Sequence, residues 1–117
     1  MIGMVDKHDR LPTETYAVWV RDRVDPDVEH ADVPPRLLTH RRVQGITLLE
    51  HLLFHLKYFR ETGQLLDRNT ISTLCHGSRD SGGCIPYVSG WHSRNGKTLR
   101  IYLSFGSSRV RAREVIV

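Results

Sequence analysis

The chain has 117 residues, of which 39% are hydrophobic, and this size fits one domain over residues 1–117 with one modest core. No apolar run is long enough for a membrane span, and the polar segment MIGMVDKHDR is not expected to be a secretory signal, so the location stays open. The formal net charge of +4 is uneven, since residues 1–35 carry −4 and residues 36–117 carry +8. A basic half makes nucleic acid a candidate partner, although a solvated basic surface is the simpler interpretation.

The N-terminal region, residues 1–42, is predicted to be extended. Residues 1–14 have an irregular pattern, whereas TYAVWVR (15–21) is rich in strand-forming residues. The acidic stretch 22–35 ends in two prolines, which favour an extended connection. RLLTHRRV (36–43) predicts a second short strand.

One long helix is predicted over Thr47–Thr62. Thr47 and Glu50 have the spacing of a capping box, and Gly63 can end the helix. An apolar stripe follows helical spacing and is expected to pack on a sheet; it consists of Leu49, Leu52, Leu56 and Phe59.

His51 and His55 lie four residues apart and therefore share a helix face. Paired histidines at this spacing can bind zinc when a third ligand and a following glutamate are present. Here Glu50 precedes the first histidine, so two partly buried helix histidines are predicted, with no metal site.

The chain from Ile71 to Val117 consists of short apolar runs separated by turn residues. Strands are predicted near 71–76, 85–91, 98–105 and 109–116. The whole pattern predicts an α+β fold with one main helix packed on a mostly antiparallel sheet. In TLRIYLSF (98–105) the residues alternate, so Leu99, Ile101 and Leu103 are expected in the core. The intervening residues are expected at the surface as one patch with neighbours in the preceding strand; this patch comprises Tyr87, Ser89, His92, Thr98, Arg100, Tyr102 and Ser104.

Three further features are considered as possible sites: a loop similar to that of serine proteases, a pair of cysteines and a basic strip. Asp80-Ser81-Gly82-Gly83 is similar to a serine-protease nucleophile loop, but a polar turn between strands is the preferred interpretation. Cys75 and Cys84 are too few for a zinc site, and their spacing leaves a disulfide open. A basic strip could bind phosphates or shield a sheet edge; it would use Arg94, Lys97, Arg100, Arg109, Arg111 and Arg113.

The sequence from Leu74 onward can also be divided into framework residues, expected to be constant, and intervening positions that are expected to vary. The frame consists of Leu74-Cys75, Gly77-Ser78-Arg79, Ser81, Gly83, Ile85-Pro86, Val88, Trp91, Leu99, Ile101, Leu103 and Arg111-Ala112-Arg113. With the helix segment LLEHLLFHLKYFRETGQLLD, residues 43–117 resemble the variable proteins of diversity-generating retroelements. In that family a reverse transcriptase miscopies the adenines of a template repeat, and the copy replaces the 3′ end of the gene.

The resemblance implies a C-type lectin-like fold whose diversified residues form an exposed ligand-binding surface. The variable positions would be His76, Asp80, Cys84, Tyr87, Ser89, His92, Thr98, Arg100, Tyr102, Ser104, Gly106 and Ser107. None of them is Trp, Lys, Glu, Gln or Met, which adenine mutation of the favoured codons cannot produce. Two features depart from the family: the chain ends in VRAREVIV rather than a Gly-Phe-Arg-like segment, and residues 1–42 carry no resemblance.

The resemblance therefore implies a non-enzymatic binding protein without a cofactor or catalytic residues. Its expected ligand is a macromolecule, a protein in preference to a nucleic acid. The alternative is a small basic nucleic-acid-binding domain that uses the arginine strip.

Overall fold

The structure is a computed structural model that describes residues 5–13, 15–68, 71–93, 96–104 and 110–117. Its elements run in chain order as β1 (Val5–His8), β2 (Trp19–Val20), a 3-10 turn (Val28–His30), α1 (Pro35–His40), α2 (Leu48–Thr62), β3 (Ser72–Leu74), β4 (Ser78–Asp80), β5 (Ile85–Ser93), β6 (Gly96–Ser104), β7 (Val110–Ala112) and β8 (Val115–Ile116). The fold is α+β, with one main helix and mostly antiparallel sheets, as the sequence predicts. Within the described residues, no helix is both long and apolar enough to cross a membrane.

The largest sheet has four strands in the order β6-β5-β3-β7. Its pairs are antiparallel except for β3 and β7, which run parallel. Two small antiparallel sheets, β1–β4 and β2–β8, join the N-terminal segment to the C-terminal half. The N-terminal region therefore takes part in the same sheets as the strands that follow α2.

The N-terminal predictions need three corrections. The strand predicted over 15–21 is confined to Trp19–Val20, and residues 5–8, predicted to be irregular, form β1. The strand predicted over 36–43 is wrong, because Pro35–His40 forms α1. Proline at the first helical position has a backbone angle suited to a helix start and needs no N–H partner there, so the two prolines begin a helix rather than only ending a loop.

The C-terminal strands lie close to their predicted positions, with shifted ends. The predicted strand 109–116 is divided into β7 and β8. Between them, the peptide groups at residues 112–114 bond to other segments: Ala112 O accepts from Asp27 N at 3.1 Å, and Arg113 O accepts from Ile46 N at 3.0 Å. These contacts draw the chain out of a single continuous ladder.

The predicted ends of the long helix are confirmed, but the prediction of which helix face is buried is wrong. Thr47 and Glu50 form the predicted capping box, and Gly63 ends α2 with a left-handed φ of 71°. However, the buried face carries His51 and His55, whereas Leu56 is 52% exposed. The helix is thus rotated by about a quarter of a turn from the leucine-inward arrangement, and Leu49 and Phe59 are exposed as well.

The hydrophobic core lies between the large sheet and the segments on either side of α2. Its central cluster comprises Ile46, Cys75, Val88 and Val115, with Val18, Val20, Leu48 and Ile101 packed against it. Cys75 and Cys84 are both free thiols. Burial raises the pKa of Cys75 well above its usual value, which keeps this thiol protonated and unreactive.

Candidate functional site

The predicted variable residues are concentrated on the β5–β6 hairpin. Its two strands are paired without interruption from Ile85 opposite Ser104 to Ser93 opposite Gly96. Gly96 has a φ of +115°, which residues with a side chain rarely adopt, so glycine is required where β6 begins. The long regular ladder places every second residue of each strand on the same face.

The inner face of the hairpin is part of the core. Pro86, Val88 and Gly90 are buried on β5. A Cβ at Gly90 would lie 2.3 Å from the carbonyl oxygen of Leu66, so only glycine permits this close contact. Ile101, opposite Val88, packs against the central cluster as predicted.

Leu99 is opposite Gly90 in the ladder, but it is 39% exposed and so departs from the predicted burial. It belongs to β6, which among the described strands is at the edge of the sheet, with β5 as its neighbour. The prediction that Leu99 is a core residue is therefore wrong. The side chain of Leu103, which was also predicted to be buried, lies outside the described residues.

The outer face of the hairpin brings five predicted variable residues together. Tyr87 and Tyr102 are opposite each other, and their rings stack with centroids 5.1 Å apart and an interplanar angle of 23°. Ser89 is opposite Arg100 on the same face. Thr98 precedes Arg100 by two residues in β6, so it also lies on this face. Thr98, Arg100 and Tyr102 are exposed, while Tyr87 and Ser89 are half-buried. We call these five residues the hairpin face.

Two predicted variable residues lie in the turn that precedes the hairpin. Asp80 Oδ1 accepts the backbone N–H groups of Gly82 and Cys84, each at 2.9 Å. Asp80 and Cys84 are half-buried, and Ser81 is exposed. The Asp80-Ser81-Gly82-Gly83 segment is thus the polar turn that the sequence predicts, and the Asp80 carboxylate is engaged in holding it.

His76 is a correction to the predicted surface, because it is buried. Its Nε2 donates to the carbonyl oxygen of Val43 at 3.1 Å, and its ring lies so close to Gly45 that a Cβ there would be 2.3 Å from Nδ1. Burial lowers the pKa of His76 below its ordinary value. The remaining predicted positions lie outside the described residues: the side chains of His92 and Ser104, and all of Gly106 and Ser107.

The predicted arginine strip does not form one exposed surface. Arg113 is fully buried. Its guanidinium donates to Asp67 Oδ1 at 2.7 Å and to the carbonyl oxygens of Arg23 and Val24, both at 2.9 Å. Lys97 lies over the ring of Phe59 and donates to the carbonyl oxygen of Gly63. Arg111 is half-buried, and Arg94 and Arg109 lie outside the described residues.

A second polar cluster is buried between α2 and the sheet. Asp67 accepts from Arg113 and from the Thr73 hydroxyl on Oδ1, and from His51 Nε2 on Oδ2 at 2.8 Å. Burial opposes ionisation of Asp67, but the His51 hydrogen bond and the Arg113 charge outweigh it and lower the pKa of Asp67. The sequence could not reveal this cluster, because Asp67 is 16 residues from His51 and 46 residues from Arg113.

His55 completes this cluster. Its Nε2 accepts from the Leu66 N–H at 3.2 Å, so the neutral ring carries its hydrogen on Nδ1. Burial, with a smaller contribution from His51, lowers the pKa of His55 from 6.5 to about 4. Both helix histidines are more deeply buried than the sequence predicts.

His51, His55 and Asp67 are also close enough to be considered as metal ligands, since one donor atom of each lies within 4.8 Å of the others. However, Arg113 and His51 already occupy both oxygens of Asp67. A divalent ion would add charge beside the buried guanidinium and would have to displace one of these bonds. The arrangement therefore fits a structural polar network better than a metal centre.

Comparison with models of known protein families, with curated proteins and with solved structures finds no match to this chain. The case for a function consequently depends on the geometry of the described residues and on the resemblance in the sequence.

Proposed function

We propose that this chain is a non-enzymatic binding protein that presents diversified residues on the hairpin face. The scaffold would be C-type lectin-like, and the gene would be the target of retroelement-directed mutagenesis. The observation that carries the proposal is the hairpin ladder, which groups five predicted variable residues on one face. On the opposite face, Pro86, Val88 and Gly90 are buried.

This separation is what a diversified surface requires physically. Substitution of an exposed strand residue changes the free energy of unfolding little, whereas substitution in the core opens a cavity or buries an unpaired group. On the hairpin face this applies most directly to the exposed Thr98, Arg100 and Tyr102. Tyr87 and Ser89 are half-buried, and the Ser89 hydroxyl hydrogen-bonds to that of Ser72. The Tyr, Ser and Arg side chains of the hairpin face are of the kinds that binding surfaces use for large, adaptable contacts.

A protein is a better candidate ligand than a nucleic acid. A phosphate-binding strip needs several exposed cations in a row, and Arg113 is withdrawn from the predicted strip by its bonds to Asp67 and to two carbonyl groups. The hairpin face instead combines one arginine with a stacked tyrosine pair, which favours a protein epitope with apolar and polar parts.

The DNA beside the gene tests the retroelement part of the proposal. We expect a near-copy of the gene's 3′ end next to a reverse-transcriptase gene, with differences at adenines of the copy. The mismatched codons should include those for residues 87, 89, 98, 100 and 102. The absence of such a repeat, or differences spread evenly over all four bases, would contradict diversification by this route.

Binding measurements distinguish the nucleic-acid alternative. Titration with a mixed-sequence DNA duplex at 50 and 200 mM salt should show weak binding that Arg100→Ala leaves nearly unchanged. A nucleic-acid-binding domain would instead bind tightly, lose affinity steeply with salt, and lose part of that salt dependence in Arg100→Ala and Arg111→Ala.

A further inference from the structure

The outward face of α2 carries three exposed leucines, of which Leu49 and Leu56 were expected in the core. Leu53 is 58% exposed and Leu56 is 52% exposed, and Leu49 lies one turn before Leu53 on the same face. We call these three residues the α2 stripe. The sequence contains a signal for it, because α2 carries leucines around more of its circumference than one buried face requires.

Leu49 and Leu53 of the α2 stripe form one wall of a groove of about 650 Å³. The opposite wall comes from the segment around β2, in which Tyr16 and Trp19 line the groove. Trp19 is 75% exposed and also lines a smaller groove with Ile116 of β8. The exposed apolar surface thus continues from the helix across the β2–β8 sheet, and it includes no residue of the hairpin face.

The size of this surface approaches that of a stable interface. An exposed tryptophan or tyrosine alone contributes up to about 250 Å². The α2 stripe, Tyr16, Trp19 and Ile116 together expose on the order of 600 Å², at the upper end of what monomeric proteins leave uncovered. A standard interface buries about 800 Å² per partner, so this surface with a polar rim is sufficient for one.

The charges at the groove nearly cancel, since the lining acids Asp22, Glu50 and Glu61 lie with Lys57 and with Arg10, which bonds to Glu50. Lys57 pairs with Glu61 one turn later on α2. Glu50, at the inner edge, accepts two bonds from Arg10 at 2.7 and 2.8 Å. A groove with nearly compensated charges does not select a strongly acidic or basic ligand, and it does not strongly repel a second copy of itself.

We propose that the groove is covered by a second copy of this chain. In a dimer with two-fold symmetry the same surface is used by both copies, so the two α2 stripes pack against each other. Each copy then buries the apolar surface of the other, and the contact is closed, which prevents open-ended assembly. The hairpin faces stay outside the dimer contact and accessible to a ligand.

The oligomeric state of the 117-residue chain tests this proposal. Sedimentation velocity over a hundredfold range of concentration should show a species of twice the 13.5 kDa chain mass that dissociates on dilution. Leu53→Glu places a charge at the centre of the contact in both copies and should raise the dimer dissociation constant at least about a hundredfold. Circular dichroism should show the same secondary structure as the parent chain, because Leu53 is exposed in the single chain.

Val28→Glu is the matched control. Val28 is 61% exposed, which is close to the exposure of Leu53, but it lines neither groove. It should leave the dimer dissociation constant unchanged within twofold. A parent chain that stays monomeric at every concentration, an assembly of another size, or a dimer that withstands Leu53→Glu would each overturn the proposal. Since the hairpin face is not involved, these outcomes are independent of the proposed function.

Discussion

At the scale of single residues, the Asp67–Arg113 ion pair is the contact that most clearly connects distant parts of the chain. Both side chains are fully buried and their charged groups are 2.7 Å apart. Arg113 also lies over the ring of Phe54 in α2 and donates to carbonyl groups near residue 23. One guanidinium thus joins the C-terminal segment, the helix and the N-terminal region.

Removing the charge of Asp67 is expected to destabilise the folded chain strongly, because the Arg113 guanidinium that it pairs with is buried. Asp67→Asn keeps the size of the side chain but leaves a buried guanidinium uncompensated, and should lower the free energy of unfolding by about 3–5 kcal/mol. Asp9→Asn is the matched control, because Asp9 and Arg79 also form an ion pair at 3.0 Å but are exposed, so its effect should be below about 1 kcal/mol. Urea denaturation of the three proteins measures both effects; equal losses would show that the buried pair has no special role.

His55 should make stability dependent on pH. In the unfolded chain it takes up a proton near its ordinary value of 6.5, whereas in the folded chain burial lowers its pKa to about 4. The folded state therefore binds fewer protons, and the free energy of unfolding should fall as the pH decreases from 6.5 to 4, by up to about 3 kcal/mol. His76, whose pKa burial also lowers, contributes in the same direction.

His55→Gln isolates this contribution. Glutamine can still accept the Leu66 N–H but does not titrate, so the variant should lose less stability than the parent chain between pH 6.5 and 4. Urea denaturation at several pH values makes the comparison. If the two proteins lose stability in parallel, His55 is not the group responsible.

At the scale of elements, the boundaries of α2 were predictable and its orientation was not. The ends depend on Thr47, Glu50 and Gly63, which act within one turn of the helix. The orientation depends on His51 meeting Asp67, which follows the helix and is held by Arg113 from the end of the chain. Likewise, the hairpin ladder follows from local alternation, but the burial of His76 requires contacts with Val43 and Gly45, more than 30 residues away.

The N-cap of α2 provides a prediction at this scale. Thr47 Oγ1 accepts the Glu50 N–H at 3.2 Å, so Thr47→Ala should lower the free energy of unfolding by about 1 kcal/mol. Thr39→Ala is the same substitution on α1, where the hydroxyl only bonds its own helix at Pro35 O, and it should change stability by less than about 0.5 kcal/mol. Thermal denaturation distinguishes the two, and a larger loss for Thr39→Ala would contradict the assigned helix cap.

At the scale of the whole molecule, a buried polar network and a small apolar core hold a sheet whose edge hairpin is exposed on one face. The α+β class and the hairpin could be predicted from the sequence because short-range patterns determine them. The inward histidines and the buried Arg113 could not, since each depends on a partner distant in the sequence.

Two matched libraries test the central claim, that the hairpin face can vary while the fold is kept. One randomises the hairpin face, Tyr87, Ser89, Thr98, Arg100 and Tyr102, and the other randomises five buried positions, Thr73, Leu74, Val88, Ala112 and Val115, with the same codons. Both are displayed on cells, treated with protease and sequenced. We predict that most members of the first library resist cleavage and that most members of the second are cleaved, because only the second disrupts the core. If the hairpin-face library is cleaved as readily as the core library, this face is structural and the proposed diversified surface is contradicted.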